Sequence, residues 1–179
     1  LMEERGYNAV VFGYGLCGNG TVGLQAHSVP LVIPRVHDCI TLLLGDIKRY
    51  NDEFKKIPGT YWYSQDFAER ADETGKFCTL GLISDEDLAR QYEAFLTHYG
   101  KENADYLIET LGGWQRRYQR AAFIDMGVVT PNGYKDKLQT DADQRGWAFE
   151  MMAGNLKILQ GLLDGDWEKK ENKSYIIIP

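Results

Sequence analysis

Tyr7-Asn-Ala-Val-Val-Phe12 runs without a break into Gly13-Tyr-Gly-Leu-Cys-Gly-Asn-Gly-Thr-Val-Gly23, and the reading of this join decides the fold class. The first part reads as a buried strand and the second as a loop with five glycines in eleven residues. That is more glycine than a tight turn requires. It predicts close approach of the backbone to a small ligand, with Gly13, Gly15, Gly18, Asn19 and Gly20 as contact residues.

Downstream, Val29 to Pro34 is a second short apolar run, and Asp38 stands where a helix cap belongs. Ile40, Leu43, Leu44, Ile47, Tyr50 and Phe54 recur at threes and fours, which predicts one helix over 39–56, stopped by Pro58-Gly59. A short aromatic strand follows at 60–63, then amphipathic helices over 85–98 and 103–120, the first opened by Ser84-x-x-Asp87 and closed at Gly100. Beyond them a strand at 121–129, a helix over 134–145, a strand at 148–152, a helix over 156–163 and a strand at 175–178 are expected. This alternation predicts an α/β fold: a mostly parallel open sheet with helices on both faces, in Rossmann-like or flavodoxin-like layers. No linker rich in Pro, Gly or Ser divides the 179 residues, so a single α/β domain is expected. Both ends, Leu1 and the β-branched run before Pro179, read as cut from something longer.

Composition narrows the function classes. Charged residues at 26% and apolar ones at 44% are those of an ordinary globular protein. The formal charge is −6 and no Lys/Arg stripe is visible, which argues against nucleic acid as a partner. No apolar run is long enough to span a bilayer, and no charged start with an apolar core opens the chain. Cys17, Cys39 and Cys78 are odd in number and widely spaced, which argues against a disulfide framework and fits a reducing, cytoplasmic setting.

Gly13, Gly15 and Gly18 spell G-x-G-x-x-G after a strand, and Asp38 follows about twenty residues on. The dinucleotide pattern nonetheless breaks down, because Gly20, Gly23 and Pro30 interrupt the place where its helix must begin. The turn His37-Asp38-Cys39 is the second constellation. If the first two strands are parallel neighbours, Cys17 and Cys39 meet at one sheet edge, where open α/β folds bind ligands. Cys17, His37 and Cys39 would then suit a transition metal such as zinc, or an iron–sulfur cluster, with the helix start favouring the Cys39 thiolate. Two other readings stand beside it: both cysteines as small packed side chains, or one of them as a nucleophile with His37 as its base. Arg35 could pair an anionic substrate or Asp38. Asp125 at a strand end is a lesser candidate, Arg116, Arg117 and Arg120 read as a solvated helix face, His98 as a helix-end charge, and His27 as a neighbour of the loop.

Over nearly its whole length the chain resembles an uncharacterised bacterial and archaeal family, domain-of-unknown-function family 1638. The resemblance rests on Gly13-Tyr-Gly-Leu-Cys-Gly-Asn-Gly20 and on Pro30-Leu-Val-Ile-Pro-Arg-Val-His-Asp-Cys-Ile-Thr-Leu-Leu-Leu-Gly45. Pro58-Gly-Thr-Tyr61 and Leu163-Asp-Gly-Asp-Trp167 add to it. It implies a further cysteine-containing segment upstream. It also implies a place beside a corrinoid-dependent methyltransferase system, in methyl-group or one-carbon metabolism, with such a system as a partner.

Overall fold

The computed structural model of the chain describes residues 6–65, 82–128, 134–169 and 173–179. Cys78 and the last residue of the strand expected at 121–129 lie outside them. The described residues pack into two compact units. The first is drawn from Leu1–Lys56, Ile124–Val128 and Met152–Pro179, the second from Ile57–Phe123 and Val129–Met151.

In the first unit, β1 (Val10–Val11) lies parallel to β2 (Leu31–Pro34), in the register Val10 to Leu31 and Val11 to Val32. On the other side of β2 runs β6 (Tyr175–Ile178), antiparallel, with Val32 opposite Ile177 and Pro34 opposite Tyr175. All four residues of β2 are buried, as befits a strand with a partner on each side. Val32, Val36, Leu42, Ile158, Leu162 and Tyr175 form the core, each apolar side chain contributing about 1.5–3 kcal/mol when fully buried. The Tyr175 hydroxyl donates to the Ile158 carbonyl at 2.9 Å and fastens α5 (Lys157–Leu163) over the strand.

The helix expected over 39–56 is two helices, α1 (Cys39–Leu44) and α2 (Ile47–Lys56). Gly45 closes α1 in the left-handed conformation at φ +70°, and the Asp46 carboxylate accepts from the Lys48 amide at 2.6 Å to open α2. The apolar spacing continues across the break and hides it. The break is fixed by its neighbour as well, since a Cβ on Gly45 would stand 2.6 Å from the Asn155 carbonyl oxygen.

The other sheet, drawn mainly from the second unit, holds β3 (Thr60–Ser64), β4 (Arg120–Asp125) and β5 (Ala148–Ala153), adjacent in that order. The Gln119 and Arg120 amides donate to Gly59, and the Ala148 amide donates to Gln119. The three strands therefore start side by side and run parallel. The crossovers contain α3 (Asp85–Gly112, interrupted at Gly100) and α4 (Tyr134–Gln144). Tyr61, Tyr63, Ala121 and Phe123 alternate along their strands and present one face, on which Leu138 and Ala142 of α4 and Trp147 pack.

The mixed α/β architecture with open sheets is as the sequence predicts, but the single mostly parallel sheet is not what forms. The described strands make two three-stranded sheets, and β6 runs antiparallel to β2. Neither strand order contains the reversal that marks Rossmann-like or flavodoxin-like layers. The reading of Arg120 is also corrected. It is the first residue of β4 and is buried, donating to Thr60 Oγ1 at 2.9 Å and to Glu150 at 2.7 Å, whereas Arg116 and Arg117 are exposed as expected. No helix among the described residues is long and apolar enough to cross a membrane.

Gly45→Ala must place a side chain in left-handed backbone and against Asn155 at once. We expect a loss of about 2 kcal/mol or more, read as a lower urea midpoint with an unchanged slope.

Candidate functional site

The parallel pairing of β1 with β2 brings the glycine loop alongside the turn that follows β2. The Phe12 amide donates to the Val32 carbonyl and the Leu16 amide to the Val36 carbonyl, each at 2.9 Å, so the pairing direction persists past the strand ends. Gly15 lies buried where the two segments touch, and a Cβ there would stand 2.9 Å from the Asp38 carbonyl carbon and oxygen. Its missing side chain serves packing against the protein's own backbone. Gly13, Gly18, Asn19 and Gly20 are exposed. Cys17 to Asn19 form a single 3-10 turn in which Gly18 and Asn19 both have positive φ, and the Tyr14 hydroxyl donates back to the Cys17 carbonyl at 3.2 Å. No α-helix starts inside the loop, in keeping with the broken dinucleotide pattern.

Asp38 organises the turn. Its Oδ1 accepts from the Thr41 amide at 2.7 Å and from the Thr41 hydroxyl at 2.8 Å, capping α1. Its Oδ2 lies 3.0 Å from His37 Nδ1. The His37 ring also meets the Tyr50 ring edge-on at 4.9 Å between centroids, while no described residue bonds Nε2. An imidazole held by a carboxylate through Nδ1 has its tautomer fixed, with a proton on Nδ1 and a lone pair on Nε2.

Cys17 and Cys39 are both free and exposed as residues. The Cys39 thiol is nevertheless pushed above its ordinary range, first by burial of the group, then by the Asp38 charge and then by Cys17. The last contribution puts Cys39 within electrostatic reach of Cys17, whose segment is brought alongside by the pairing of β1 with β2. The direction corrects the expectation that the helix start favours the Cys39 thiolate. Burial and the capping carboxylate outweigh the backbone amides of Cys39 and Ile40, which act the other way.

The remaining predicted residues are not drawn into this arrangement. Among the described residues, no group of three or more His, Cys, Asp or Glu side chains is gathered to hold a metal ion. Arg35 lines a cleft of about 370 Å³ with Asp46, Lys157, Asp166 and Tyr175, a lining to which neither thiol nor any loop glycine contributes. Lys157 in that cleft was missed, since a lysine at a helix start gives no sequence signal of a site. Asp125 Oδ1 accepts from the Gly127 amide at 2.8 Å in a local turn, and His27 and His98 are exposed.

Because Asp38 disfavours the neighbouring thiolate, Asp38→Asn should lower the Cys39 pKa. We expect Cys39 in the variant to be alkylated by iodoacetamide several-fold faster at pH 7.5, with Cys17 less changed, as read by peptide mass spectrometry. In the unsubstituted chain the rate at Cys39 should keep rising at pH values where an ordinary thiol has levelled off.

No curated protein and no solved structure matches the chain. The family described as "Protein of unknown function (DUF1638)" matches residues 2–163, and the glycine loop and the His37-Asp38-Cys39 turn both fall inside that span. On that match over most of its length, the chain belongs to this family.

Proposed function

We propose that this protein is a metal- or cluster-binding α/β protein in which Cys17, His37 and Cys39 supply the ligands, with zinc or an iron–sulfur cluster as the group bound. The observation that carries the reading is the β1–β2 pairing, which brings the Cys17 segment alongside the His37-Asp38-Cys39 turn, with His37 Nδ1 committed to Asp38. Soft sulfur donors and a neutral imidazole nitrogen suit such groups, and a carboxylate behind the ligating histidine raises its basicity. The three side chains do not form a closed ligand set as they stand. As residues, all three are exposed. On the strength of the family resemblance, we place the activity in corrinoid-dependent methyl-group or one-carbon metabolism, in a reducing cytoplasm with a methyltransferase system as partner.

A second reading, a non-metal module that binds a small anion, is favoured by the Arg35 cleft. Its two acids are engaged: Asp46 caps α2, and Asp166 pairs with Lys169 at 2.5 Å. The cations Arg35 and Lys157 form no ion pair among the described residues and are open to an anion in the cleft.

Anaerobic titration of the protein with cadmium separates the two readings. We expect one ion per chain with a sulfur-to-metal absorption band, lost in Cys17→Ser and in Cys39→Ser. Asp38→Asn should bind about 10-fold to 100-fold more weakly. Absence of stoichiometric uptake would overturn the metal reading, and weaker phosphate binding in Arg35→Gln would then support the second.

A further inference from the structure

The second unit contains a cleft of about 700 Å³ that none of the residues discussed for function lines except Arg116. Trp147, Tyr118 and Leu88 give it an apolar floor, and Gln115 and Arg145 a polar wall. The wall is built from the core outward. The buried Tyr63 hydroxyl donates to Asp141 Oδ2 at 2.7 Å, and Arg145 Nε lies 3.2 Å from both oxygens of the same carboxylate. Arg145 Nη1 then donates to Gln115 Oε1 at 3.3 Å, and that oxygen also accepts the Ile83 amide at 3.0 Å. The guanidinium carbon sits 5.4 Å from the centroid of the Trp147 ring, stacked against it.

This network uses every acceptor it contains and leaves donors over. Among the described residues, the Gln115 Nε2 amide, the Trp147 Nε1–H and Arg145 Nη2 donate to no protein acceptor. Gln115 is 8% exposed and Trp147 6%, and both line the cleft. The other charges there are committed or peripheral: Asp141 to Tyr63 and Arg145, Arg116 to Glu109, and Asp85 exposed at the start of α3. Donors open to the cleft are available to an acceptor group bound there, and the volume falls in the range of small-molecule sites, roughly 300–1,000 Å³. From the surplus of donors above an aromatic floor, we infer that this cleft is a binding site for a small organic carboxylate with an apolar body. The carboxylate takes the free edge of the Arg145 guanidinium and the Gln115 amide, and the apolar body lies on Trp147 and Tyr118. The site is independent of the thiols and of the Arg35 cleft.

The test uses the full chain labelled with nitrogen-15 and three probes: benzoate, 3-phenylpropionate and hexanoate. At least one should shift the Trp147 indole and Gln115 side-chain amide resonances saturably. Its neutral alcohol counterpart should bind roughly tenfold more weakly for want of the charged acceptor. Arg145→Gln should erase the preference for the acid over the alcohol. Because Arg145 also anchors Asp141, Gln144→Trp at the exposed rim is the second variant; by filling the mouth it should weaken carboxylate binding roughly tenfold while the amide spectrum stays folded. If none of the three acids moves these resonances saturably, if acid and alcohol bind alike, or if Gln144→Trp leaves the affinity unchanged, the inference is overturned.

Discussion

The carboxylate of Asp38 is the constraint on which the candidate site depends. One oxygen closes the first turn of α1 through two bonds to Thr41, the other fixes His37, and the residue's own carbonyl presses on Gly15. Cap, histidine and loop are thus referred to one point. Helix caps of this kind are worth about 1 kcal/mol, which is modest. Their geometric effect is larger here, because the direction of the turn decides where both Cys39 and His37 stand. After burial, the larger cause, the same charge that orders the turn also pushes the Cys39 thiol up.

That dual role explains why the site was only partly legible in the sequence. Asp38 could be read as a cap because an acid before an apolar run is a local signal. The meeting of loop and turn could be read conditionally, from two apolar runs and an assumption of parallel pairing, which the register of β1 with β2 supplies. The balance at Cys39 could not be read. It depends on burial and on a sulfur twenty-two positions away in the chain, and neither has a local signature.

The fold divides along the same line between local and long-range information. Most elements stand within a few residues of where periodicity placed them, since amphipathic spacing is written locally. The first strand shrinks to Val10 and Val11, because only two residues find partners on β2. The break at Gly45-Asp46 had a local signal, a C-cap glycine followed by an N-cap acid, masked by apolar spacing that ran through it. Sheet membership had none. Nothing in Tyr175 to Ile178 states that these residues pair antiparallel with a strand about 140 positions earlier, and pairings of that kind defeat local reading. Arg120 was misread for a related reason: its burial comes from Thr60 and Glu150, which stand on two other strands.

The position of β6 bears on the order in which the molecule can be completed during synthesis. The sheet of β3 to β5 and the core packed on it are drawn from residues 60–153, all of which precede β6 in the chain. β2 comes earlier than that sheet, yet it lacks one neighbour, and its core lacks Tyr175, until residues 175–178 emerge. β2 is therefore made well before its antiparallel partner and leaves the ribosome with an open edge of backbone donors and acceptors. Such an edge attracts foreign strands until its own arrives. A chain released before residue 175 would carry a second unit able to close and a first unit exposed to misassembly.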